Sequence, residues 1–283
     1  MKLLFTGFAA LMVTVSFAQP TVIKQAIVQT TTNIIAPEEE DVQNIQSPQQ
    51  GGMNFRNMMD GEFKFTTYLK NDMVKTVIKS DMGRSTIIRD NAKKLTTTLL
   101  EMMGNKTGFY MTDEDQANMA KRRDSMMKAR RQKDSSAEVR TVPLEPTIEV
   151  SYTEETKKIA GYVCKKAYII SSRIVGAKDT AIVWYASDIQ LQNVMSTGGF
   201  GGLPGMSNMM TAVNGLDKLP GFPMRYEAKM RRNRRMEVEV TKIDLKKEIE
   251  DKEFDIPKDF EVKPFSEMQG MFQQGGFQMR RNN

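Results

Sequence analysis

The 283-residue sequence contains no histidine and a single cysteine. The missing imidazole excludes Ser-His-Asp and Cys-His machinery and every histidine-based zinc site. One thiol, Cys164, can form no intramolecular disulfide and no Cys-x-x-Cys pair, so the fold must hold by packing. Neither a Gly-x-x-x-x-Gly-Lys phosphate loop nor a Gly-x-Ser-x-Gly elbow occurs. In "GGFGGLPG" Pro204 stands where a dinucleotide loop needs its third glycine. These absences predict a protein that is not an enzyme and carries no cofactor and no dedicated metal site.

Long apolar runs are scarce as well. The one that stands out follows Lys2, from Leu3 to Phe17, and ends in the small-residue site Ser16-Phe17-Ala18. It reads as a signal peptide over residues 1–18, cleaved after Ala18. No other run approaches the roughly 18 apolar residues of a spanning helix, so no transmembrane segment is expected. Without a cysteine at the cleavage point the chain is not a lipoprotein, and the expected location is periplasmic or secreted. Cleavage leaves 40 basic and 35 acidic residues, a net charge of +5. This excess is small and interleaved with acid, which argues against a nucleic-acid module.

Composition divides the rest of the chain. Residues 19–59 are rich in Gln, Thr and Pro and read as a flexible leader, and residues 266–283 as a low-complexity tail. Between them, residues 60–265 read as one β-rich domain with a helical insertion at 112–134. In "GEFKFTTYLK" Phe63, Phe65 and Leu69 alternate with Lys64, Thr66 and Lys70, the period of a half-buried strand. "TIEVSYT" repeats it with Ile148, Val150 and Tyr152; further strands are predicted at 73–80, 84–89, 94–102, 160–171 and 180–186.

The strictest alternation runs from Met224 through Tyr226, Ala228 and Met230, and again through Met236, Val238 and Val240. If these are antiparallel neighbours with one apolar face, paired residue numbers sum to an even number, as for Ala228 with Val238. The loop around Asn233 then has an odd length. Past Val240 the apolar positions shift to Ile243 and Leu245, which predicts a bulge near Lys242. In "LDKLPGFPMRYE" Pro220 and Pro223 are expected to fix a turn and delay the strand to Met224.

The insertion "TDEDQANMAKRRDSMMKARRQKD" has a cap at Thr112 or Asp113, acids in its first turn and bases after it, which suits a solvated helix. Lys121, Arg122, Arg123, Lys128, Arg130 and Arg131 make it the candidate surface for a partner. The carboxylates of Glu227, Glu237, Glu239 and Asp244 fall on charged strand faces and read as solvated. Cys164, in "GYVCKKAYII", reads as a buried small hydrophobe. The 23 methionines cluster in places, as at Met126-Met127 and Met268-Gln-Gly-Met271. They suit adaptable packing, with Cu(I) binding as a distant alternative.

"KKIAGYVCKKAYIIS", "DTAIVWYASDI", "LDKLPGFPMRYEAKM" and "VEVTKIDLKKEIEDKEFDIPKDFEVKPF" follow in order. This ordered set resembles the exported bacterial family catalogued as domain of unknown function 4412, over about residues 60–265. The closing strand and Phe254 to Pro257 resemble the end of the lipoprotein-carrier superfamily of LolA/LolB type. That resemblance implies a strongly curved antiparallel sheet, a half-barrel with short helices over its open face. It implies an apolar cavity lined by the inward strand positions Phe63, Phe65, Ile148, Val150, Trp184, Met224, Tyr226 and Val238, with the loop 190–216 over its mouth. Two functions follow: an envelope protein that binds a lipid or other apolar ligand, or one that docks an envelope protein partner through the basic helix.

Overall fold

The computed structural model describes residues 21–35, 61–80, 83–102, 104–133, 147–174, 177–191, 215–230 and 234–268. The expected signal peptide, most of the loop 190–216 and most of the tail lie outside them.

The described chain is mainly β. Before the long helix come β1 (Thr21–Ile23), β2 (Gln25–Ile35), β3 (Gly61–Lys70), β4 (Met73–Ser80), β5 (Gly83–Asp90), β6 (Leu95–Met102) and β7 (Asn105–Thr112). The helix α1 (Asp113–Lys133) follows, then β8 (Thr147–Ile159), β9 (Tyr162–Ile174), β10 (Ala177–Ala186) and β11 (Ile189–Leu191). The chain closes with β12 (Phe222–Lys229), β13 (Arg235–Asp244) and β14 (Val262–Pro264). Twelve of these strands form one sheet in the order β14-β7-β6-β5-β4-β3-β2-β13-β12-β10-β9-β8, and β1 pairs with β11 in a separate parallel ribbon.

The large sheet is open and uncurled, with β8 and β14 at its edges, where the carrier resemblance led us to expect a half-barrel. It is built almost wholly from antiparallel neighbours; β14 alone joins in parallel, on β7.

A second correction concerns the leader. Residues 25–35 are a central strand, hydrogen-bonded to β13 on one side and β3 on the other. Gln and Thr content suggested disorder, but threonine is β-branched and suits a pleated surface. Ala26, Val28, Thr30, Thr32 and Ile34 alternate into the core, with Thr30 and Thr32 as buried as their apolar neighbours.

Register separates the two faces of the sheet. One row runs Tyr152, Ala167, Val183, Tyr226, Val238, Thr32, Phe63 across seven strands. The adjacent row points the other way and runs Lys166, Trp184, Arg225, Glu239, Thr31, Lys64, Lys79, Arg84, Glu101, Lys106 across ten. Period-two side chains thus give one apolar and one charged face from single strands.

The parity expectation for the last hairpin holds: Tyr226 pairs with Val238 and Ala228 with Met236. The register shift falls between Val240 and Lys242, where the apolar phase changes. β12 begins at Phe222, two residues before the expected Met224, because Pro223 is accommodated beside a register shift opposite Tyr185.

Helix α1 starts as its sequence implies. The Asp115 amide donates to Thr112 Oγ1 at 3.1 Å while the Thr112 amide donates to Asp115 Oδ2 at 2.9 Å, a reciprocal cap. Arg89 on β5 grips Asp113 through two bonds, Nη1 to Oδ1 at 2.5 Å and Nη2 to Oδ2 at 2.9 Å. Beyond that first turn Met119 packs beside Phe109, Met111 and Met268, and most other described side chains of the helix are exposed.

Candidate functional site

One cavity among the described residues opens on the charged face, between β3–β6 and the segment 253–260 that crosses over them. Its volume is about 240 Å³. Register explains the floor: Thr66, Val77, Thr86 and Leu99 are successive cross-strand partners. The row beside them supplies Lys79 and Arg84, with Glu101 next in line. Pro257 and Phe260 form the roof.

Lysines from the sheet tie the roof down. Lys70 Nζ donates to the Ile249 carbonyl at 2.7 Å and to Asp251 Oδ1 at 2.6 Å. Lys75 Nζ donates to the Glu253 carbonyl at 2.6 Å and to its Oε1 at 2.9 Å. At the far end Lys106 pairs with Asp259, and the Gly108 amide donates to the Glu261 carbonyl at 3.1 Å, which starts β14. Burial raises the Tyr68 phenol on the cavity wall, and the Glu253 carboxylate adds to the effect.

Three of the six charged residues that line the cavity are paired. Glu253 meets Lys75, and Lys106 lies between Asp259 and Glu101, the latter at 3.8 Å. Lys79 and Arg84 are exposed and have no ion-pair partner among the described residues. Elsewhere on the same face Arg225 is held by Glu227 at 2.7 Å and Glu239 at 2.9 Å, with Glu237 at 4.0 Å. Those acids, read from sequence as solvated, form an arginine-centred network instead.

The residues expected to line an apolar cavity fall into two groups. Phe63, Phe65, Ile148, Val150, Met224, Tyr226 and Val238 occupy the apolar clusters of the sheet, and Met224, Tyr226 and Val238 are at most 2% exposed. Trp184 packs against the edge of the cluster that holds Met224 but stands in the charged row. It pairs with Arg225 and Lys166 on the charged row, and Lys166 Nζ sits 5.8 Å from its ring centre. None of the eight lines the described cavity, and sequence patterning singles out none of the charged residues that do.

Of the expected partner residues, Lys121, Arg122 and Lys128 are exposed on α1, while the side chains of Arg123, Arg130 and Arg131 lie outside the described set. Among the clustered methionines Met126 is exposed on α1 and Met268 is buried. Among the described residues no group of three or more Cys, Asp or Glu is arranged to hold a metal ion, and no helix is long and apolar enough to cross a membrane.

Cys164 is fully buried, and desolvation pushes its thiol from 9.0 up to about 11. At pH 8 a group of that pKa is roughly one-thousandth thiolate, so alkylation of the folded protein by iodoacetamide is expected to be negligible. In denaturant the same site should label fully; rapid labelling of the native state would contradict the burial.

Five aspartates share a different signature. Asp90, Asp113, Asp115, Asp244 and Asp259 all sit below the ordinary carboxylate value, held there by hydrogen bonds from Lys93, Arg89, Thr112, Lys247 and Lys106 in turn. A depressed folded value means a contribution present above the unfolded pKa and lost as pH falls through the folded one. Stability is therefore expected to hold from neutrality to about pH 5 and to decline below about pH 4. Urea midpoints at pH 7, 5 and 3 check this, and a midpoint at pH 3 equal to that at pH 7 would refute it.

The sequence profile of the family described as domain of unknown function DUF4412 matches residues 50–260. The chain belongs to this family. The DUF4412 match spans both faces of the sheet and the roof of the cavity, up to Phe260. No curated protein matches the chain. Among solved structures, PNGF-II in space group C2 is similar at 14% identity and a TM-score of 0.37, over 88% of this chain and 33% of that one. PNGF-II in space group P21 is similar at 12% identity and a TM-score of 0.35, over 88% and 34%. The DUF4412 chain thus spans about a third of the length of those structures.

Proposed function

We propose that this is a non-enzymatic, exported cell-envelope protein that holds a lipid or other apolar ligand against the apolar face of its sheet. The observation that carries the reading is the single layer. Twelve strands in one open sheet present a largely apolar face, and no second large sheet among the described residues packs on it. A face of that kind has to be covered by something other than a partner sheet.

The described elements that pack there lie toward its ends. Leu216 and Leu219 join the cluster of β8, β9, β10, β12 and β13, and Phe265, Met268 and Met119 join Phe109 and Met111. Among the described residues the cluster between them, Phe63, Phe65, Ile78 and Ile87, draws on β3, β4 and β5, and Phe65, Ile78 and Ile87 are buried. An acyl chain across these strands would meet mainly hydrocarbon and threonine methyl groups, with the Ser85 hydroxyl beside Ile78 as a polar exception. The signal-peptide pattern of residues 1–18 supports export.

The test is native mass spectrometry of the processed protein, purified gently from its own envelope. A reproducible added mass removed by organic extraction is the expected result. A bare polypeptide mass would overturn the reading and favour partner docking through α1, which the exposed Lys121, Arg122 and Lys128 permit. An added mass of copper would instead implicate the methionine clusters.

A further inference from the structure

The apolar face leaves the cavity on the charged face unexplained. Lys64, Lys79 and Arg84 are direct cross-strand partners on three consecutive strands. Like charges so placed stand about 5 Å apart at Cβ and repel, a destabilising arrangement for a sheet. Lys64 is relieved by Glu62 at 3.0 Å; Lys79 and Arg84, the two that line the cavity, form no ion pair among the described residues, since Glu101 across from Arg84 is turned to Lys106 and Glu253 to Lys75, which leaves Asp255 as the one unpaired acid of the lining.

The surroundings say what would supply it. Beside the two cations the floor turns apolar through Val77, Leu99 and Ile88, and Phe260 closes it from above. A bare inorganic anion would leave that hydrocarbon unused. A neutral apolar molecule would leave the cations unpaired. We infer that the cleft between β3–β6 and the segment 253–260 binds a small anionic amphiphile, its acid group on Lys79 and Arg84 and its hydrocarbon body on Val77, Leu99 and Phe260.

A volume of about 240 Å³ is small for a ligand site and suits a body of about ten non-hydrogen atoms rather than a full phospholipid. Arginine offers a carboxylate or sulfonate a planar fork of donors, and lysine adds a point charge beside it. The segment 253–260 is held from β4 and β7, so the site is formed before the ligand arrives.

The experiment is isothermal titration of the full-length processed protein with octanoate, with neutral octanamide and with inorganic phosphate. Two double variants accompany it: Lys79→Gln with Arg84→Gln, and Lys121→Gln with Lys128→Gln on α1 as a control of equal charge change. Because all four side chains are exposed, both variants should keep the wild-type circular dichroism spectrum. The expected result is that octanoate binds roughly tenfold or more tightly than octanamide, and that only the Lys79/Arg84 variant loses this margin. Equal binding of octanoate and octanamide would overturn the inference, as would octanoate binding that survives the Lys79/Arg84 change, since that ligand would lie on the apolar face. Phosphate binding as tight as octanoate would overturn it too, by showing that the cleft reads charge alone.

Discussion

Replacing Met236 with alanine should lower the unfolding free energy by about 3 kcal/mol, within the range of roughly 2 to 5 seen for buried methionine and leucine truncations. Met236 is 0% exposed and sits on β13 between Ala228 of β12 and Ile34 of β2. Its small neighbour Ala228 cannot swing in to fill the space, so truncation leaves a cavity as well as losing transfer free energy. The position is central in the sheet, and its cluster includes Tyr226, Val238, Val183 and Ala167 from four strands. Urea unfolding measures the effect, with an unchanged slope confirming that the loss is one of stability. Met126→Ala provides the contrast: that side chain is 62% exposed on α1 and its truncation should stay within about 0.5 kcal/mol. A loss below about 1 kcal/mol at Met236 would mean that this face is loosely filled, and the apolar face would then be a better ligand site than its burial implies.

What the sequence disclosed of this fold follows from where polarity alternates. β3 and β4 begin and end where alternation and turn residues place them, and the helix begins at the capping pair Thr112 and Asp115. Parity alone settled which residues of β12 and β13 share a face. Where alternation vanishes, the sequence is silent. "AIVWYA" is apolar at every position, so nothing in it shows that Val183 and Tyr185 face the core while Trp184 joins Lys166 and Arg225. β2 was hidden by its threonines, whose methyl groups pack like valine's while their hydroxyls read as polar. β7 was hidden by Gly108, which packs so closely under Val262 that a Cβ there would stand 2.8 Å from Val262 Cγ2.

The cavity was illegible for another reason. Its floor comes from residues 66–101 and its roof from residues 253–260, and each part alone is an ordinary charged strand face or turn. The lysines that join them act across some 180 positions of sequence, as Lys75 does to Glu253. Charge patterning reports that a face is polar, and only the sheet order shows that Lys79 meets Arg84 there.

Gly221→Ala is the other substitution expected to cost heavily, about 2 kcal/mol for a single added methyl group. Gly221 lies in "KLPGFP", between a turn that buries Leu219 and the start of β12 at Phe222. A Cβ at this position would come within 2.3 Å of the Ala186 carbonyl oxygen and 2.8 Å of its carbon. Both atoms are backbone, and Ala186 is the cross-strand partner of Phe222, so the methyl group can be accommodated only by prising β10 from β12. Pro220 and Pro223 stiffen the chain on either side and limit the relaxation available. The stretch therefore serves close approach of two strands, and the glycine is its centre. Ala186→Gly in the same background should restore nothing, because the atoms that clash remain. If Gly221→Ala unfolds at the wild-type urea concentration, the close approach is dispensable and the motif's role lies elsewhere.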